Sequence, residues 1–268
     1  MKWFSVATNI GHSLSLTRRL ASRQIQMRYR DSMLGIAWAV VSPMVLALIY
    51  TVIYSTVFKA KWFVSPGNEE SFALVLYSGL VLFLLFADVL NTAVAVIESN
   101  AVLVKRTTMQ SHLIPLSASL GALITFAFSL VPLVILYAVL KGVPPVTVLL
   151  YPFVVAICWL IVTALGLLTA SIAPYFRDLR QVMPLITTSL LFLSPIFYQV
   201  SALPDGLRSV LTKVNPLMTL IPSSQDLLFL GQVPALLPLF KWTVVGLALF
   251  ALGLAVFNKA SKGFADVL

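Results

Sequence analysis

Long apolar stretches alternate with short polar or basic ones along most of the chain. From 36 to 58 no charged residue interrupts the sequence, and such a length is sufficient to cross a hydrocarbon core of about 30 Å as a helix. Equivalent stretches predict spans at 35–58, 72–97, 113–140, 146–173, 181–198 and 241–257. Continuous runs of this length exclude a β-barrel, whose strands are short and alternating. In lipid the backbone polar groups must then be satisfied within helices. The pattern predicts an all-α integral membrane protein with six transmembrane helices.

Two regions break the pattern. Residues 1–34 form a basic, moderately polar arm, and from Leu14 onward a helical reading places Arg19, Arg23 and Arg30 on one stripe. Leu14, Ala21, Ile25 and Tyr29 fall on another side, while Leu16, Leu20 and Met27 make a second apolar patch. This predicts an amphipathic helix between the membrane surface and a protein partner; the alternative is a basic tail that only sets orientation. Arg28 and Arg30 close the arm where water meets lipid, and positive charge there holds that end in the cytoplasm. The second break is 199–240, apolar yet divided by Pro204, Asn215-Pro216, Pro222, Gly231, Pro234 and Pro238. Its pieces are too short to span, so two short re-entrant helices are predicted at 204–213 and 216–230. The domain organisation is thus an arm at 1–34 and a six-span transmembrane domain at 35–268 that includes this outer segment.

Polar residues inside the apolar pattern are few. Span two carries Asp88, Asn91 and Glu98 within one narrow helical sector. An intramembrane carboxylate faces the bundle interior or water, so the sector either lines a conduit or bonds to neighbouring helices. Pro66-Gly67-Asn68 marks a turn between spans one and two, with Trp62 and Phe63 as interface anchors. Val102-Leu103-Val104-Lys105-Arg106 is too apolar for a solvated loop and predicts a short docking helix. Ser194-Pro195 predicts a kink at the outer end of span five.

Composition agrees: the chain is 60% hydrophobic and 10% charged, against about 25% charged in soluble domains. The net charge of +9 reads as cytoplasmic loops and anionic headgroups rather than nucleic acid. With both termini cytoplasmic, twelve Lys and Arg fall on the inner side and six on the outer. The single cysteine, Cys158, can form no intrachain disulfide, and His12 and His112 have no partner at metal-ligand spacing. No cleavable signal is expected at the amino terminus. The chain has no phosphate-binding Gly-x-x-x-x-Gly-Lys-Ser/Thr run, no Ser/His/Asp arrangement and no His-Glu-x-x-His. The expectation is a transport subunit, not an enzyme, driven from outside itself or running downhill.

The segment Arg28-Tyr-Arg-Asp-Ser-Met-Leu-Gly-Ile-Ala-Trp-Ala-Val-Val-Ser-Pro43 resembles the start of span one in polysaccharide ABC exporter permeases. Tyr175-Phe-Arg-Asp-Leu-Arg-Gln-Val-Met-Pro184, Leu193-Ser-Pro-Ile-Phe-Tyr198, Leu203-Pro204 and Asn215-Pro216-Leu217 resemble later family segments, in family order. The resemblance covers nearly the whole chain and is nearer the O-antigen and teichoic acid branch than the capsule branch. It implies a homodimer in the inner membrane, two copies of a separate ATPase that binds ATP and Mg, no cofactor in this chain, and a passage between protomers. The cargo it implies is polysaccharide on undecaprenyl pyrophosphate. Arg28 and Arg30 would receive the diphosphate headgroup, since an arginine fork suits phosphate oxygens. Asp88, Asn91, Phe83, Phe86, Phe192, Phe197 and Tyr198 would line the conduit, though aromatics in a bundle also serve as core or face lipid. Val102, Leu103, Lys105 and Arg106, with Arg19 and Arg23 of the arm, would couple to the ATPase. Pro204, Leu207, Asn215 and Pro216 would form the outer gate. Alternatives are capsule or teichoic acid export, a small-molecule ABC exporter, a passive channel, and a membrane transferase acting on lipid-linked sugars, for which no acid, base or metal ligands converge.

Overall fold

The computed structural model describes residues 2–30, 32–57, 62–65, 68–106 and 110–267, except the side chains of 2–14, 57, 62–65, 68–70, 106 and 265–266. Among these residues five helices are long and apolar enough to cross a membrane. They are Gly35–Thr56 (α2), Phe72–Ser99 (α3), Leu113–Lys141 (α5), Val146–Ile172 (α6) and Leu236–Gly263 (α10). The arm is one helix, α1, Lys2–Tyr29, and a short α4, Ala101–Arg106, links α3 to α5. α7 (Leu179–Phe192), α8 (Asp205–Val214) and α9 (Leu217–Gln225) precede α10, and α11 (Phe264–Val267) ends the chain. A two-stranded antiparallel hairpin, β1 (Trp62–Ser65) with β2 (Asn68–Glu70), joins α2 to α3. The strands flank the predicted turn; the proposed anchoring by Trp62 and Phe63 falls outside the described side chains.

α3 is the hub. Its most apolar window is 72% buried, against 17% for α2 and 22% for α10. It packs against α2, α5, α6, α7 and α9, and its Leu74, Val75, Leu76, Val81 and Leu82 are fully enclosed. The sequence is apolar all round at these positions, which suits a helix surrounded by protein as well as one facing lipid, and the packing decides for protein. α10 makes its main contact with α6. There Gly253 would place a Cβ 3.0 Å from the Ala164 carbonyl oxygen, and Gly246 one 3.1 Å from Ile161 and Leu160. Small residues let helix backbones approach closely in lipid.

The segment predicted as span five differs. α7 stops at Phe192 after 14 residues, a rise of about 21 Å, short of the hydrocarbon thickness. Pro195 lacks an N–H and disfavours helical geometry at Ser194, so the helix ends where a kink was expected. Ser194 instead donates to the Leu190 carbonyl at 2.6 Å. The two short helices predicted at 204–213 and 216–230 are present as Asp205–Val214 and as Leu217–Gln225, the latter extended by a wide turn over Asp226–Leu230. They differ in kind: α8 has no buried residue, whereas Leu217, Met218, Leu220 and Ile221 of α9 are buried.

Candidate functional site

The carboxyl-terminal third of α1 lies on α5 through small residues. Ala21 is fully buried, and a Cβ added at Gly121 would lie 3.7 Å from the Ile25 side chain. Gln24 donates to Ser117 Oγ at 3.2 Å. One turn on, the same face presents Arg28 to α3. Its Nη1 donates to Asp88 Oδ2 at 2.7 Å and its Nη2 to Thr92 Oγ1 at 3.0 Å, while Thr92 donates to Asp88 Oδ1 at 3.3 Å. Partial burial opposes the guanidinium charge, but the field and hydrogen bond of Asp88 outweigh it, so Arg28 holds its proton more tightly than a free arginine.

Arg28 borders two cavities. One, of about 330 Å³, is lined by Trp38, Ser42, Asp88 and Asn91 among others. The second, of about 290 Å³, includes Gln24, Met27, Thr92 and Asn100. The Arg28–Asp88 pair therefore stands as a partition between two partly polar spaces at the root of the basic arm. The pair is 36% and 26% exposed, so an anion reaching either cavity would compete with Asp88 for the guanidinium. Asn91 bonds to Thr187 of α7 at 3.3 Å, and Glu98 pairs with Arg180 at the start of α7. The polar sector of α3 thus clamps α3 to α1 and α7.

Among the described residues no group of three or more His, Cys, Asp and Glu could hold a metal ion. The profile of the ABC-2 type transporter family matches residues 15–229. The chain belongs to this family. The match runs from the middle of α1 to the wide turn after α9 and takes in the Arg28 partition and α4; α10 lies beyond it. The chain is 26% identical to an O-antigen export system permease protein RfbA of Myxococcus xanthus over 92% of this chain and 93% of that one. It is 26% identical to one of Klebsiella pneumoniae over 97% of both. It is 23% identical to the polysialic acid transport protein KpsM of Escherichia coli over 90% of this chain and 91% of that one.

In this ABC-2 type transporter the other candidate residues are scattered. Arg19, Arg23 and Arg30 are exposed, as Arg28 is in part. Phe83 and Phe86 are 4% and 2% exposed inside the protomer's core, so they present no free surface to a passage here. Phe192 is exposed, Phe197 is buried and Tyr198 lies between. Val102 is 65% exposed and Lys105 is exposed, while Leu103 packs onto the cluster holding Phe257 and Phe264. The side chain of Arg106 falls outside the described residues. Pro204 and Leu207 are exposed. Asn215 and Pro216 are buried, and Asn215 donates to the Leu193 carbonyl at 3.2 Å and to Ser194 Oγ at 3.1 Å, and accepts from Leu217 N at 3.0 Å. They form a fixed joint between α7 and α9.

Sequence reading missed Thr92, Thr187, Tyr50 and Tyr54. Tyr54 stacks on Phe197 with ring centroids 4.7 Å apart, and Tyr50 meets the same ring edge-on at 5.0 Å. Both pairs carried a signal in their i,i+4 spacing: Asp88 with Thr92 on α3, Tyr50 with Tyr54 on α2.

Proposed function

We propose that this ABC-2 type transporter is the permease of an ATP-driven exporter that moves lipid-linked polysaccharide, O-antigen in the first instance, across the inner membrane. The observation that carries the reading is the alignment over 92% and 97% of this chain with proteins named O-antigen export permeases. The weaker match to the polysialic acid transporter keeps capsule export as a second reading. Two copies of the chain enclose the passage, and two copies of a separate ATPase, which bind ATP with Mg, supply the energy; the chain itself makes and breaks no bonds and needs no cofactor. Both termini are cytoplasmic. α7, with the segment that follows it, completes a sixth crossing, and α8 and α9 dip in from the outer face as a gate. Exposed Val102 and Lys105 on α4, with Arg19 and Arg23 on the arm, meet the ATPase.

In this reading the cargo is polymer on an undecaprenyl pyrophosphate lipid, and the diphosphate is its constant handle. Arg30, already exposed, makes the first contact. Phosphate oxygens then replace Asp88 on Arg28, which suits a planar fork of donors. Release of Asp88 frees α1 from α3 at the moment the headgroup is bound. Phe192 and Tyr198 then offer apolar faces over which sugar rings slide.

The experiment is a chromosomal deletion with complementation. Loss of the chain should remove polysaccharide from the cell surface and accumulate its lipid-linked form inside; unchanged surface polymer overturns the reading. Arg28→Gln with Arg30→Gln should abolish export while insertion and ATPase assembly persist. Normal export by that variant refutes the headgroup role.

A further inference from the structure

A third cavity, of about 310 Å³, lies between the 198–201 segment and the end of α9, and includes Tyr198, Gln199, Ser201, Gln225, Asp226 and Phe229 in its lining. It borders the opposite end of α3 from Glu98: Gln225 donates to the Val75 carbonyl at 3.4 Å, and a Cβ added at Gly79 would lie 3.5 Å from its amide nitrogen. The wall bearing Asp226 is the wide turn Asp226–Leu230, a geometry enriched at functional sites. It is pinned from two sides. Thr147 donates to the Leu227 carbonyl at 2.7 Å and Tyr137 to the Leu228 carbonyl at 2.8 Å. Gly231, at φ +63°, closes the turn onto the Asp226 carbonyl, as does Gln232 at 3.2 Å.

The Asp226 side chain is half-buried, and among the described residues it has no hydrogen-bond or ion-pair partner. The three side-chain ion pairs found there lie elsewhere. Asp226 is not among the buried unsatisfied atoms, so its carboxylate is open to the cavity and is available to a ligand there. A carboxylate accepts hydrogen bonds from neighbouring hydroxyls, the Gln and Ser side chains donate and accept around it, and the Tyr198 and Phe229 rings present flat apolar surfaces. Phe229 is held in place by Tyr137, stacked at 6.1 Å, and by the Lys141 ammonium 5.6 Å from its ring centre. Hydroxyls on one side and C–H faces on the other describe a sugar ring. The carboxylate adds a sign: it repels sugars that carry their own carboxylate.

We propose that this cavity is a sugar-binding subsite in which Asp226 favours uncharged sugar units over acidic ones. The inference rests on the export reading above and narrows it to the class of polymer carried. The test uses the full chain purified into lipid nanodiscs and titrated, by ligand-observed NMR, with mannotriose and with a trimer of sialic acid. The wild type should bind mannotriose and bind the acidic trimer at least about tenfold more weakly. Asp226→Ala should weaken mannotriose binding about tenfold or more, as expected when a hydrogen bond to a charged group is lost. Asp226→Asn should narrow the gap between the two sugars. Should Asp226→Ala fail to fold, Ser201→Trp, placed on the exposed side of the cavity, should block mannotriose equally. Equal binding by wild type and Asp226→Ala, no mannotriose binding by wild type, or no preference between the trimers overturns the subsite. Failure of the export reading shows separately, as surface polysaccharide that survives loss of the chain whatever the titration gives.

Discussion

Arg28 carries two loads, a contact within the bundle and the candidate contact with an anion, and substitutions separate them. The ion pair with Asp88 is part-exposed, so its contribution to stability is modest, about 1 kcal/mol or less. Arg28→Gln and Asp88→Asn should each lower the melting temperature of the purified protein slightly, and the double variant should lose less than the two single losses added together. Additive losses would show that the pair is not coupled. Asn215 is the opposite case: it is buried and makes three hydrogen bonds to backbone and Ser194. Asn215→Ala should cost about 1–3 kcal/mol, because the Leu217 N–H loses its acceptor. A melting temperature unchanged from wild type would refute its role as a joint. The sequence announced Asn215-Pro216 as a break in the apolar pattern and Arg28 as an interface charge. It could not announce their partners, since Arg28 and Asp88 are sixty positions apart and nothing local couples them.

Elements were legible to the extent that local chemistry fixes them. The predicted limits of α3, α5 and α8 and the start of α9 fall within two residues of those observed, because Ser71, Gly142 and the prolines at 204 and 216 bound the runs, whereas α9 gives way to the wide turn five residues before its predicted end. The hub role of α3 was not legible: every span is apolar, and which one the others surround depends on tertiary packing. The hairpin was missed for a related reason, since strands of four and three residues are too short to show a period of two. Two contacts between elements are testable. Gly253→Ala would force the new methyl against the Ala164 carbonyl and Leu167, so α6 and α10 must separate. The expected loss is about 1–3 kcal/mol, read as thermal stability in detergent. Beside α4, Phe264 is fully buried, 5.5 Å edge-on to Phe257 and 5.9 Å from Tyr175, and its cluster supports Leu103 and Val104 of α4. Phe264→Ala should release the end of the chain and with it the seat of α4. In the proposed complex, polymer-dependent ATP hydrolysis should fall several-fold while the spans melt as before; unchanged hydrolysis would show that α4 does not depend on this support.

At the scale of the molecule, the distribution of polar contacts along α3 divides the protein into two ends. Glu98 with Arg180, Tyr175 bonded to the Ala260 carbonyl, and His112 with Asn258 gather at one end, beside α4 and α11. Gln225, Thr147 and the cavity around Asp226 gather at the other. In the proposed topology the first end is cytoplasmic, as the positive-inside rule expects, and Ser201 and Lys105 must lie on opposite sides of the membrane. Both positions are exposed, and Cys158, the chain's single cysteine, is fully buried, so it provides a quiet background for labelling. In intact spheroplasts a membrane-impermeant maleimide should label Ser201→Cys and spare Lys105→Cys; permeabilisation should make the second react as well. The reverse pattern would turn the bundle over and place α4 where no ATPase could reach it. Protection of both positions in intact spheroplasts, with both labelled only after permeabilisation, would mean that α7 and the segment after it do not complete a crossing. That result would reduce the bundle to its five long helices and leave the termini on opposite sides, a topology in which α4 and the carboxyl-terminal tail could not form the contact the structure shows.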